Sequence, residues 1–251
     1  MIFGALPRWA ELVLKVYGWI DRAMKYAFGY REYKKDGVFH QVNGPAVKYP
    51  NGDKEWYQQG TLHRADGPAK DHADGLREWW RVGKRHREDG PAIVRQDGSE
   101  EWYQNGALHR EDGPAQVAAD GTRRWWRLGE LHREDGPAVE LVDGTREWWV
   151  LGRQHRDDGP AHERPNGAKS WYVHGVKHRF NGPAVESLDG TREWWRHGQR
   201  HREDGPAFER EQGYQEWWLE GKQVDEGAVR SAQALSRLKE VKLDAPEKVA
   251  F

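Results

Sequence analysis

The chain has 251 residues, with 40 Lys and Arg against 41 Asp and Glu, 12 His, 15 Trp and no Cys. Balanced charge excludes the overall basic excess of a generic nucleic-acid binder, and the lack of Cys excludes disulfides and cysteine-based metal sites or nucleophiles. A hydrophobic fraction of 36% with 12% aromatic residues argues against a deep aliphatic core and equally against disorder, which comes with few aromatics.

The pattern of residues 1–29 predicts an amphipathic lead-in helix over about 7–28. Pro7 suits a first helical position. Arg8, Glu11, Lys15, Arg22 and Lys25 line a narrow polar side, and Trp9, Leu12, Val16, Trp19 and Ile20 lie on the wide apolar one. The expected role is to cap or dock on the body of the protein. An oligomer contact and an interfacial membrane anchor are the alternatives. No apolar run reaches membrane-spanning length, and the N-terminus lacks the features of a signal peptide. A cytoplasmic protein is expected, with peripheral membrane association as the alternative.

Residues 30–223 repeat. The heptapeptide HREDGPA, or a close variant, returns every 23 residues, marked by His40, His63, His86, His109, His132, His155, His178 and His201. A fixed period of this length means one small unit stacked many times. A half repeat comes first, since Glu32, Tyr33 and Gly37 align with Glu55, Trp56 and Gly60. Eight copies come after it. In the copy from His132, the loop leads into a strand over 138–142, Asp143-Gly144 turns the chain, a second strand covers 145–150, and Gly152 closes the unit. Asn-Gly and Asp-Gly favour type I′ turns, so these are expected at Asn51-Gly52, Asp143-Gly144 and their equivalents. Short strands joined this tightly pair antiparallel with their sequence neighbours.

The expected fold is an all-β repeat protein: an elongated, twisted antiparallel β-meander of about eight 23-residue hairpins, or about seventeen strands. Short N- and C-terminal helices flank it. Residues 224–251 form the C-terminal helical cap, with Val229, Ala232, Leu235, Leu238 and Val241 at helical spacing over 226–243. Repeat arrays need such caps.

The string Glu101-Trp102-Tyr103-Gln104-Asn105-Gly106-Ala107-Leu108-His109-Arg110-Glu111-Asp112-Gly113-Pro114-Ala115 resembles the MORN repeat (membrane occupation and recognition nexus). It is most similar to the variant repeats of bacterial and viral proteins. The resemblance covers about 30–223 and neither terminus. It departs from the standard repeat in having Arg after the histidine and Pro after the loop glycine. The resemblance implies an elongated antiparallel sheet that makes protein–protein contacts or attaches near membranes, with no catalysis by the repeats themselves.

Each second strand carries two aromatics. The first is always Trp, from Trp56 to Trp217, and is expected on the more buried face. The second is Tyr57, Trp80, Tyr103, Trp126, Trp149, Tyr172, Trp195 or Trp218. This row, with the variable residues Arg81, Arg127, Arg196, His174 and His197, forms the candidate interaction surface. Cross-strand aromatic packing is the plainer reading of the row.

The histidines are expected to bond turn backbone and pack on Trp, rather than to bind metal or sense pH. The loop arginines are expected to pair with carboxylates of adjacent units. The Asn or Asp before each loop glycine is expected to bond its own turn. No catalytic, cofactor or metal residue is assigned. The functional expectation is a non-catalytic repeat scaffold for a protein partner. The alternatives are a membrane-surface protein anchored by 7–28 and an aromatic ligand- or carbohydrate-binding platform. A second copy of the chain is a further candidate partner.

Overall fold

In seven of the eight 23-residue repeats the chain makes four two-residue strands, not two longer ones; in the last, Gln215–Leu219 runs through Trp217 unbroken. The computed structural model describes residues 29–243, with side chains through residue 235. The lead-in helix expected over 7–28 therefore lies outside the described residues. The chain divides into two units, one ending at Ala119 and one starting at Asp120. Both are built by the same rule.

In the first unit, a ladder of strands runs in chain order through Arg31–Glu32, Val47–Lys48, Lys54–Glu55, Lys70–Asp71, Arg77–Glu78, Ile93–Val94, Glu100–Glu101 and Gln116–Val117. Every neighbouring pair is antiparallel. In the second unit an equivalent ladder runs from Arg123–Arg124 to Gln215–Leu219. The all-β meander read from the repeat is thus what the chain forms.

The doubling of strands has one cause, a bend at the invariant Trp. The Trp148 N–H donates to the Ala161 carbonyl at 2.8 Å, while its own carbonyl accepts the His155 N–H at 3.1 Å. The first bond ends the ladder. The second begins a separate hairpin, Trp149–Val150 against Arg153–Gln154. Trp56 does the same with Ala69 and His63. A strand expected to run straight through 145–150 is therefore split between two hairpins. Alternation at period 2 does not reveal such a bend, because polar and apolar residues alternate on both sides of it.

The turn types are exchanged relative to expectation. Both central residues have positive φ, as type I′ requires, at Leu151 (47°) and Gly152 (70°), and at Gln59 (49°) and Gly60 (78°). These are the closing turns of the small hairpins. At Asp143-Gly144 only the glycine is left-handed. There the Gly144 N–H donates to Leu141 O and the Leu141 N–H to Thr145 O, a tight turn followed by a glycine bulge. The Asp143 carboxylate accepts the Thr145 N–H at 2.8 Å, which explains the Asx at this place. Backbone hydrogen bonding holds Asp143 below the usual carboxylate range.

The core is built mostly of alanines. Ala46, Ala69, Ala92, Ala115, Ala138, Ala161, Ala184 and Ala207 are fully buried, with Val47, Ile93, Val139 and Phe208 beside some of them. Helix Glu226–Leu243 follows the last strand, Lys222–Val224. The Asp225 carboxylate accepts the Ala228 N–H at 2.8 Å, an N-cap worth about 1 kcal/mol. Val229 is buried as the helix packs on Gln215–Leu219, whereas Leu235 is exposed.

Candidate functional site

The HREDGPA loop is a side-chain machine built on its arginine. In the loop from His155, Arg156 Nε donates to Asp158 at 2.8 Å, and Nη1 donates to the Pro160 carbonyl and to Glu163, each at 3.3 Å. The guanidinium lies 4.0 Å from the Trp148 ring centroid. The same stack recurs in seven loops at 3.7 to 4.2 Å. A cation over an indole contributes about 0.5–1 kcal/mol where partly exposed.

In the loops that carry the arginine, the glycine makes room for it. A Cβ on Gly159 would stand 2.9 Å from Arg156 Cζ, closer than side-chain carbon atoms tolerate. The arginines thus serve their own loops before any neighbouring unit. Correspondingly, Asp158 is held below the usual carboxylate range by its hydrogen bond to Arg156, and the loop aspartates do not simply cap their own turn as expected. Where Asn181 replaces the aspartate, Arg179 keeps the bonds to Pro183 O and Glu186, both at 2.9 Å.

The histidines act across repeats. His155 Nδ1 accepts the N–H of His174 at 3.3 Å, nineteen residues on. His40, His63, His86, His132, His178 and His201 do the same for Gln59, Val82, Asn105, Leu151, His197 and Glu220. Each ties the tip of the next hairpin to its own loop, not to its own turn as expected. An Nδ1 that accepts must be unprotonated. Burial first, then the charges of His197 and Arg196, hold His178 below its ordinary value.

The Tyr/Trp row is half-buried throughout, and so is the invariant Trp row. The expected contrast in burial between the two is not found, because the bend puts the first Trp under its arginine lid at the junction of two hairpins. A glutamate two residues before the second aromatic takes its polar handle. Tyr57 and Tyr103 hydroxyls donate to Glu55 and Glu101, and the Trp80, Trp149, Trp195 and Trp218 Nε1 groups to Glu78, Glu147, Glu193 and Glu216, at 2.8 to 3.2 Å. Burial and the adjacent glutamate push the Tyr57 phenol up. Arg124 stands in the glutamate position before Trp126, whose Nε1 is buried without a partner. Tyr172 follows Ser170 instead, and burial pushes its phenol up.

These glutamates were missed by sequence reasoning, though their recurrence two places before the ring was there to be read. Arg85 and Arg200 extend the row. Arg200 reaches Glu193 at 3.2 Å and Glu216 at 3.4 Å and lies over Trp195 and Trp218.

The variable candidates make contacts of their own. Arg81 is exposed and pairs with Glu88 at 2.6 Å. Arg127 lies 3.8 Å from Glu134. Arg196 approaches His201 Nε2 at 3.4 Å and covers Phe180 at 5.5 Å. His174 and His197 occupy the first left-handed position of their hairpin tips, with φ of 50° and 51°. Their rings lie 4.6 Å from His155 and 4.5 Å from His178.

Among the described residues no group of three or more His, Asp or Glu is arranged to hold a metal ion, and no helix is long and apolar enough to cross a membrane. No protein-family model and no curated protein matches the chain.

Proposed function

We propose that this chain is a non-catalytic, MORN-like repeat scaffold that mediates protein–protein interaction. The observation that carries the reading is how the recurrent polar groups are used. Histidine Nδ1 atoms hold hairpin tips, loop arginines hold their own aspartate, proline carbonyl and Trp, and glutamates hold the aromatic row. General acid–base chemistry needs a distinct pair with separated pKa values, whereas here like groups recur in like roles. Four of the positions that differ between copies are exposed: Arg81, Arg127, His174 and His197. Variation on a constant frame suits recognition of a partner surface. The engaged handles of the Tyr/Trp row favour this reading over a ligand platform.

The test is affinity capture with the full chain and with the variant Arg127→Glu. The expected result is a discrete protein retained in stoichiometric amount and lost with the variant at unchanged melting temperature. A purified chain that turned over a substrate, and lost that activity on changing one loop His or Arg, would overturn the reading.

A further inference from the structure

Between consecutive loops of the first unit lies a groove that repeats with the sequence. Its first bay, about 570 Å³, lies between Asp66 and the Arg87–Asp89 wall, over Trp79. Its second, about 690 Å³, lies between the same wall and Asp112, over Trp102. The bays share Arg87, Glu88 and Asp89 and are therefore consecutive along one groove.

The groove has a definite chemistry. Each Trp has Arg87 or Arg110 stacked on it, at 4.1 and 4.2 Å. Those guanidinium groups also donate to Asp89 and Asp112, and their side chains are three-quarters covered. The rim is open and rich in carboxylates: the side chains of Asp66, Asp89, Asp112 and Glu111 are 81 to 90% exposed. In the first bay Asp66, Glu88 and Asp89 are matched by Arg64, Arg81 and Arg87, whereas Glu88, Asp89, Glu111 and Asp112 of the second face only Arg87 and Arg110. The second bay is the more acidic, because Gln104 stands where Arg81 stands in the first.

We propose that this groove binds a peptide in the polyproline-II conformation carrying a basic residue at every third position. The inference rests on the scaffold reading and gives its partner a chemistry. The argument is one of spacing and charge. One repeat adds two ladder strands, so equivalent points of successive bays lie roughly 9.4–9.8 Å apart. A polyproline-II chain has three residues per turn and advances about 9.3 Å in that turn. Every third side chain thus returns to the same side in step with the bays. A β-strand sends residues three apart to opposite faces, which leaves alternate bays unfilled. Preformed polyproline-II chains lose little entropy on docking in aromatic-lined grooves, and rim carboxylates complement Arg or Lys.

The test is fluorescence anisotropy of the full chain with a labelled peptide of six Pro-Pro-Arg triplets. A peptide of equal composition with its arginines clustered at one end is the control. The spaced peptide is expected to bind about tenfold tighter than the clustered one. Glu111→Gln and, separately, Gln104→Arg should each weaken it severalfold without moving the melting temperature; Gln104→Arg reproduces the residue already accepted at position 81. Arg81→Gln should strengthen it, because Glu88 is then released from its 2.6 Å pair. Absence of binding by the spaced peptide, or equal affinity for both peptides, would overturn the inference. In either case the scaffold reading stands if affinity capture finds a partner lost with Arg127→Glu, and falls with the inference if capture finds none.

Discussion

The imidazoles of His155 and His174 stack face to face, 4.6 Å apart with planes 6° from parallel, while His155 Nδ1 accepts the His174 N–H at 3.3 Å. One histidine thus fixes both the backbone and the ring at the tip of the next hairpin. His155→Ala is expected to lower stability by about 1 kcal/mol, the net worth of an ordinary hydrogen bond, since the tip is exposed and water replaces the lost acceptor. His155→Asn, whose side-chain carbonyl can accept in place of Nδ1, should recover part of that loss. Urea denaturation of the three proteins checks both; equal midpoints would show that the bond contributes nothing.

His178 makes the same bond to His197 and gives it a pH dependence. Burial, then His197 and Arg196, hold its folded pKa below the ordinary 6.5; the Phe180 ring packs edge-on against it. As pH falls through about 6.5 the unfolded chain takes up the proton first, so unfolding gains and stability falls with acid. His162, also held low mainly by burial, adds in the same direction. The melting temperature should drop from neutral pH to about pH 5, with a smaller slope in His178→Asn. A flat profile would count against this account of the histidine ladder.

Val82 occupies a left-handed tip position with φ of 48° and is 68% exposed. For a β-branched residue this conformation is a true outlier. The same position carries Asn105 one repeat later, and Asn-Gly is the preferred type I′ pair. Val82→Asn should therefore stabilise the chain by about 1 kcal/mol, and Asn105→Val should destabilise it similarly. Thermal melts of the two variants give the signs directly.

Gly159→Ala should destabilise by about 1 kcal/mol, because the Arg156 guanidinium must shift away from Asp158, Pro160 and Glu163 to make room. The glycine's φ is not left-handed, so the penalty comes from the Arg156 guanidinium alone. In an Arg156→Ala background the same glycine change should be nearly neutral. A double-mutant cycle measures that coupling; additive effects would refute the steric account.

Much of the frame is legible in the amino-acid sequence. The 23-residue beat, the antiparallel meander, the glycines of both turns and the helix at 226–243 come from period, turn chemistry and caps, which act within a few residues. The candidate site is legible only in part. The sequence places Tyr57, Trp80 and their equivalents in one row, but their glutamate partners depend on which way a bent strand faces.

What the sequence determines by itself is the repeated unit, because short-range backbone preferences of Gly, Asx and Pro need no distant partner. Tertiary structure decides which turn is left-handed at both central residues and where each strand breaks. It also decides that His155 serves residue 174 and that Arg156 lies on Trp148. Those choices depend on the register between successive hairpins, which is set only when neighbouring strands pair and their backbone hydrogen bonds close.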